Sequence, residues 1–353
     1  MIEMSIFSDN VVVSKIHAMY GKMLTSKQYD DLLTCKSVPD IAAYLKNNTS
    51  YSNILENVNE ISIHRGQLEN FVKKQSFENY SKIYRYLSGG GNRMFNMIIE
   101  EFEMLEVLRM ILLLKAGNPD EYIVSLPGFL ISKCRINLLE LAKIRSFENL
   151  LNFLAKTPYH SVLSKQEVPK DDSEIDYVEC ENSLYENFFK RMFDMIENKS
   201  KRSEKLELRR LVGTRIDNLN ICSIYRQKVL FNLDSDQIRD RIFPFSKALT
   251  PDKMEKIISS SDFDQMNKIL KEMFLIDDGA VKASEEENFY IERYTSLVRH
   301  RICRHYLHLS KNLSTVFYAF YILSQLEISN LIYIIEGVRY KITSNEIKKL
   351  LVW

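Results

Sequence analysis

The chain has 353 residues, 48 Lys and Arg against 47 Asp and Glu, and a net charge of +1. That length sets a prior of two or three domains, and the balanced charge excludes a global pull toward nucleic acid or an anionic bilayer. The residues are 45% hydrophobic, enough for a packed core, and only 10 Gly and 7 Pro favour long helices over turn-rich β structure. The five cysteines (Cys35, Cys134, Cys180, Cys222, Cys303) are odd in number, scattered and without a CxxC pair, which reads as a reduced, cytosolic chain. An acid at position 3 and no apolar run after a basic start argue against a secretory signal. The apolar stretch 316–335 carries Ser324, Gln325, Glu327 and Asn330, and 104–114 is short and holds Glu106 and Arg109. Both read as buried core helices rather than membrane spans, which need about 20 nearly uninterrupted apolar residues.

In chain order, residues 11–24 predict a first helix, with Ile16, Met19, Tyr20 and Met23 at helical spacing. Thr25 then caps a short helix, with Gln28 in capping-box position. Ser37 caps a second one carrying Ile41, Tyr44 and Leu45. A longer helical region, 63–115, is interrupted at Ser88, Gly89, Gly90, Gly91 and Asn92. Residues 134–154 repeat the short pair, with Ser146 as the second cap; Cys134 is a poor cap, so this copy starts differently. The acidic, aperiodic stretch 164–176 reads as an exposed loop. A second long region, 183–230, is interrupted by the charged stretch 198–207. The pair recurs at 250–270, with Thr250 before Pro251 and Asp262 as the second cap, and a third long region runs over 289–340.

The three copies align without gaps. Tyr29, Leu138 and Met254 share a column, as do Leu32, Leu141 and Ile257, Leu33, Ala142 and Ile258, and Ile41, Leu150 and Met266. A second signature closes each long region: an acid and a polar residue one turn apart on an otherwise apolar helix. The pairs are Glu103 and Glu106, Asp217 and Asn220, and Glu327 and Asn330. From Thr25 to Glu103 is 78 residues, from Cys134 to Asp217 is 83, and from Thr250 to Glu327 is 77. Two signatures that keep phase three times predict three related helical domains: 1–118, 119–240 and 241–353. This period is far above that of solenoid repeats.

The opening Ala18-Met-Tyr-Gly-Lys-Met-Leu-Thr25, the helix from Ser37 to Leu45, the late Phe317-Tyr-Ala-Phe and the Glu327, Asn330, Leu331 signature resemble the C subunit of V/A-type rotary ATPases, the counterpart of the d subunit of the eukaryotic vacuolar proton pump. The resemblance covers essentially the whole chain. It implies an all-α, funnel-shaped fold of three similar domains with pseudo-threefold symmetry. It also implies a non-catalytic role, with no cofactor, in which the protein joins the central-stalk subunits to the membrane rotor ring of proteolipid subunits on the cytoplasmic face. The alternative drawn from the residues is a soluble helical-repeat adaptor for unrelated protein partners.

Other stretches have plainer readings beside the chemical ones. His300, Cys303, His305 and His308 are metal-ligand types, but HExxH is absent and no second Cys/His cluster completes a tetrahedral site, so a basic helix is favoured. The glycine run lacks the Gly-Lys-Ser/Thr ending of a phosphate loop and reads as a helix break. Glu100, Glu101, Glu103 and Glu106 read as helix–helix bonding groups rather than as acid–base catalysts or a di-iron site, with a polar patch meeting the stalk as the lesser reading. The run 199–210 reads as a solvated basic surface, with contact to lipid headgroups or an acidic stalk surface as the lesser reading; Phe317, Tyr318, Phe320 and Tyr321 read as core, with an interface role as the lesser reading. Catalytic, cofactor-binding and metal residues are therefore expected to be none. Partner specificity is expected where the copies differ: 88–93, 164–176, 199–210 and 299–308.

Overall fold

A computed structural model describes residues 2–87, 89–124, 126–231, 233–239, 241–244, 249–260, 265–266, 268–269 and 291–353. Among the described residues every regular element is a helix. The chain divides into two compact units, one formed by 1–86 with 201–353 and the other by 87–200. The chain passes between units beside the glycine run and inside the charged interruption, the two places where helical patterning lapses.

The larger unit is built on the helix Leu313–Arg339. It is apolar on nearly every side, and a helix of that kind belongs in a core. Length and composition alone would also let it cross a membrane. Here most of it is enclosed by the helices Ile291–Leu309, Arg65–Tyr84, Ile2–Tyr20, Arg202–Tyr225 and Val38–Asn48. Phe317, Tyr318, Phe320 and Tyr321 are all buried. The ring of Tyr80 meets Phe317, Phe320 and Tyr321 edge-on, with centroids 5.3 to 6.5 Å apart. The aromatic cluster is thus core.

The first helix runs over Ile2–Tyr20, earlier than the pattern from 11 predicts. It stops before Gly21, a poor helix former, so Met23 and Leu24 lie beyond its end. The repeated pair follows as Ser26–Leu32 and Val38–Asn48. Thr25 and Gln28 form the expected capping box, and Ser37 Oγ accepts from the Asp40 amide at 3.2 Å. Leu32, Ile41 and Leu45 pack with Leu331, Ile334 and Ile335 of the core helix. Full burial of each such side chain is worth about 1.5–3 kcal/mol. In the third copy the helix Pro251–Ile258 begins after Thr250, whose side chain makes no cap bond. Ile257, Ile258 and Met266 pack with Ile221 and Ile224. The predicted cap at 262 lies outside the described residues.

In the smaller unit the helix Gly89–Lys115 lies along Tyr177–Lys199. The three glycines therefore sit in the first turn of a helix, and the break falls between Tyr84 and Gly89. The second pair is Leu138–Leu141 and Phe147–Leu154, capped by Asn137 and Ser146. Asn137 Oδ1 accepts from the amides of Leu139 and Glu140 at 3.0 and 3.2 Å, so the cap lies three residues after Cys134. The stretch 164–176 contains one turn of 3-10 helix, Asp172–Glu174. Asp172 accepts from the Phe147 amide at 3.1 Å, which ties this loop to the head of the second helix.

Gly89–Lys115 and Leu313–Arg339 end alike. Asn118 N–H reaches Leu113 O while Gly117 N–H reaches Leu114 O; Ile342 N–H reaches Gly337 O while Lys341 N–H reaches Val338 O. Both are Schellman ends, which place one residue in the left-handed region. That residue is Gly117 (φ 73°) in one helix and Lys341 (φ 57°) in the other.

Candidate functional site

The residues of the closing signature are where distant parts of each unit meet. Glu327 is buried, and its carboxylate accepts from the Leu24 amide at 2.7 Å and the Tyr51 hydroxyl at 2.8 Å. Leu24 precedes the cap of the first helix pair, and Tyr51 opens the short helix Ser52–Leu55 that follows it. One carboxylate therefore fastens both ends of the pair to the core helix. Glu103 does the same in the smaller unit. It accepts from the amides of Arg135 and Ile136 and, at 3.0 Å, from the Tyr159 hydroxyl. Those amides precede the cap Asn137, and Tyr159 opens His160–Leu163. Burial pushes Glu327 up to about 7, against the Leu24 and Tyr51 bonds that favour its charge. Burial also raises Glu103, opposed by the Arg135 amide and Tyr159. Sequence reasoning misses Tyr51 and Tyr159. Their signal is positional: each follows the last core leucine of its pair, Leu45 or Leu154, by six or five residues.

The second signature residue is a backbone clamp where it is Asn. Asn330 Nδ2 donates to Val352 O at 2.6 Å, and Val352 N–H donates back to Asn330 Oδ1 at 3.0 Å. Asn220 makes the same reciprocal pair with Phe243, both bonds 2.9 Å. An amide carries donor and acceptor side by side, so it can stand in for a neighbouring strand. Glu106 cannot donate when ionised; it pairs instead with Arg109 at 3.2 Å. A cleft of about 600 Å³ opens beside the Glu327 network, with Gln28, Asn48, Gln75, Asn79 and Ser324 on its walls. These are hydrogen-bonding groups.

A family model described as ATP synthase (C/AC39) subunit matches residues 12–350. The chain belongs to that family. It is 25% identical to the A-type ATP synthase C subunit of Thermococcus kodakarensis, over 65% of this chain and 60% of that one. It is 24% identical to the protein of the same name from Thermococcus gammatolerans, over 73% of this chain and 68% of that one. For the corresponding Methanosphaera stadtmanae protein the identity is 21%, over 76% and 66%. The match thus spans about 60% of the length of the first of these curated relatives.

In this C/AC39-family chain the other candidate residues have structural partners. Glu100 is forked by Arg191 at 2.5 and 2.9 Å and approached by Arg135 at 3.7 Å; such bidentate pairs are the strong ones. The potential ligands on Ile291–Leu309 do not converge. Cys303 is buried, whereas His305 and His308 are exposed. His305 lies edge-on to Tyr306, and His308 lies edge-on to Tyr20, with His17 6.1 Å away. Burial, helped by Arg304 and Arg301, lowers His300 to about 4. Among the described residues no three His, Cys, Asp or Glu side chains are grouped to hold a metal ion. In the basic run, Glu204 is buried and Glu207 accepts from Ser310 Oγ and Asn312 Nδ2 at 2.6 and 2.7 Å, while Arg202 and Arg210 stay exposed. Arg93, after the glycine run, donates to Lys199 O at 2.7 Å.

Proposed function

We propose that this chain is a non-catalytic subunit of a V/A-type ion-translocating rotary ATPase. In this reading it couples the central-stalk subunits to the membrane rotor ring on the cytoplasmic face, and so serves ATP-driven ion transport or ATP synthesis. The observation that carries the reading is the family match from residue 12 to 350. The three-domain organisation, with boundaries near 118 and 240, belongs to the same proposal. It is supported by the recurrence of one fastening scheme at Glu327 and Glu103 and one clamp at Asn330 and Asn220. The role suits the physics: a coupler transmits torque, and close-packed helices transmit strain well. A small net charge suits attachment through complementary protein surfaces.

The test is reconstitution. The purified chain is offered separately to solubilised rotor ring and to the stalk subunits of the complex encoded with it, and each mixture is resolved by size. Stoichiometric binding to both is expected, with no nucleotide turnover by the chain alone. Binding to neither would overturn the coupler reading and return the soluble adaptor.

A further inference from the structure

The helices Arg202–Tyr225 and Ile291–Leu309 run antiparallel, since Asn218 Nδ2 donates to Thr295 O at 2.9 Å and Glu207 accepts from Ser310 Oγ at 2.6 Å. This register sets Arg215, one turn before Asn218, beside Arg299, one turn after Thr295. Arg215 donates to the buried Tyr318 hydroxyl at 3.3 Å. Arg299 reaches Ser296 Oγ at 3.4 Å, while its Nε is fully buried without an acceptor. From 293 to 326 the sequence contains no Asp or Glu. Burial and the like charge of Arg215 both push Arg299 below the usual guanidinium range, yet a guanidinium stays protonated in proteins. Among the described residues no carboxylate acts on Arg299; a desolvated cation so placed is costly, and an anion offsets that cost. The guanidinium fork matches the paired oxygens of a carboxylate or a phosphate.

We propose that Arg299, with Arg215 beside it, is a seat for an oxyanion of carboxylate or phosphate type, supplied by a small anion or by an acidic side chain of a bound protein. The seat lies within one unit and concerns the isolated chain, so it stands or falls independently of the rotor reading. Thermal unfolding of the full chain is followed in chloride, inorganic phosphate and succinate at matched ionic strength. Phosphate or succinate should raise the midpoint by at least about 2 °C at saturation. Arg299→Gln should abolish that shift and unfold no lower than the parent in chloride, because it removes an uncompensated charge. Arg301→Gln, an exposed neighbour on the same helix, should keep the shift. A response to phosphate alone assigns a phosphate ligand; a response to both assigns a general oxyanion seat open to a partner's carboxylate. No response to either anion, or an equal shift in Arg299→Gln, overturns the proposal. If Arg299→Gln fails to fold, calorimetric titration of phosphate into the parent and Arg299→Lys decides, and equal affinity of the two counts against the seat.

Discussion

Glu327 shows what a single residue decides here. Its folded pKa, about 7, lies above the ordinary 4.5. Its stabilising contribution is therefore complete below the unfolded value and is lost as pH rises through 7, up to about 3 kcal/mol. Glu327→Gln keeps the geometry and cannot ionise. In urea unfolding of the two proteins at pH 5 and pH 8, the parent should lose about 2.5 kcal/mol more than the variant between the two, since part of the loss already precedes pH 5. Parallel pH profiles would sink the assignment. Lys341 makes a second residue-scale case. It occupies a left-handed position that Gly117 occupies in the equivalent helix end. Lys341→Gly should therefore stabilise, by roughly 0.5–1 kcal/mol, and a lower urea midpoint would contradict the strain argument.

At the scale of elements, the repeated helix pairs are short, and isolated helices of that length are marginal in water. Tertiary fastening keeps them in place: apolar columns on one face and, for the first two pairs, a carboxylate holding both ends. The clamp by Asn330 extends this to the segment after the core helix, where Val352 is buried and Trp353 stacks on Tyr29 with centroids 4.9 Å apart. Asn330→Ala leaves the Val352 amide and carbonyl buried and unpaired, a cost of about 2–4 kcal/mol. Asn330→Asp restores only the acceptor, so it should recover part of the loss at most. Denaturant unfolding of the three proteins orders them, and equal midpoints for the parent and Asn330→Ala would remove the clamp. The columns, the caps at Thr25, Ser37 and Ser146, and the existence of a polar pair on each closing helix were legible in the sequence, because each depends on local spacing. The partners of that polar pair were not, because Leu24 and Tyr51 lie about 300 residues from Glu327 along the chain.

At the scale of the whole molecule, residues 87–200 form a compact unit from one continuous stretch. It has its own buried side chains in Ile98, Met104, Leu108, Leu150, Phe189 and Met192. Expressed alone, 87–200 should unfold cooperatively, with an m-value suited to its size; a gradual, featureless loss of helicity would show that it borrows its stability. The sequence by itself determined the helical class, the apolar faces and the phase of the repeats, since these follow from propensity, capping and period. It also carried the family resemblance, through residues that keep their order along the chain. Only the tertiary structure decided that the first two pairs are each fastened by a closing helix: Glu327 reaches back to the first pair and Glu103 reaches forward to the second. It alone decided that Arg299 sits beside Arg215. Such pairings depend on which buried groups meet, and a buried carboxylate or guanidinium is settled by the donors or charges that surround it rather than by its neighbours in sequence.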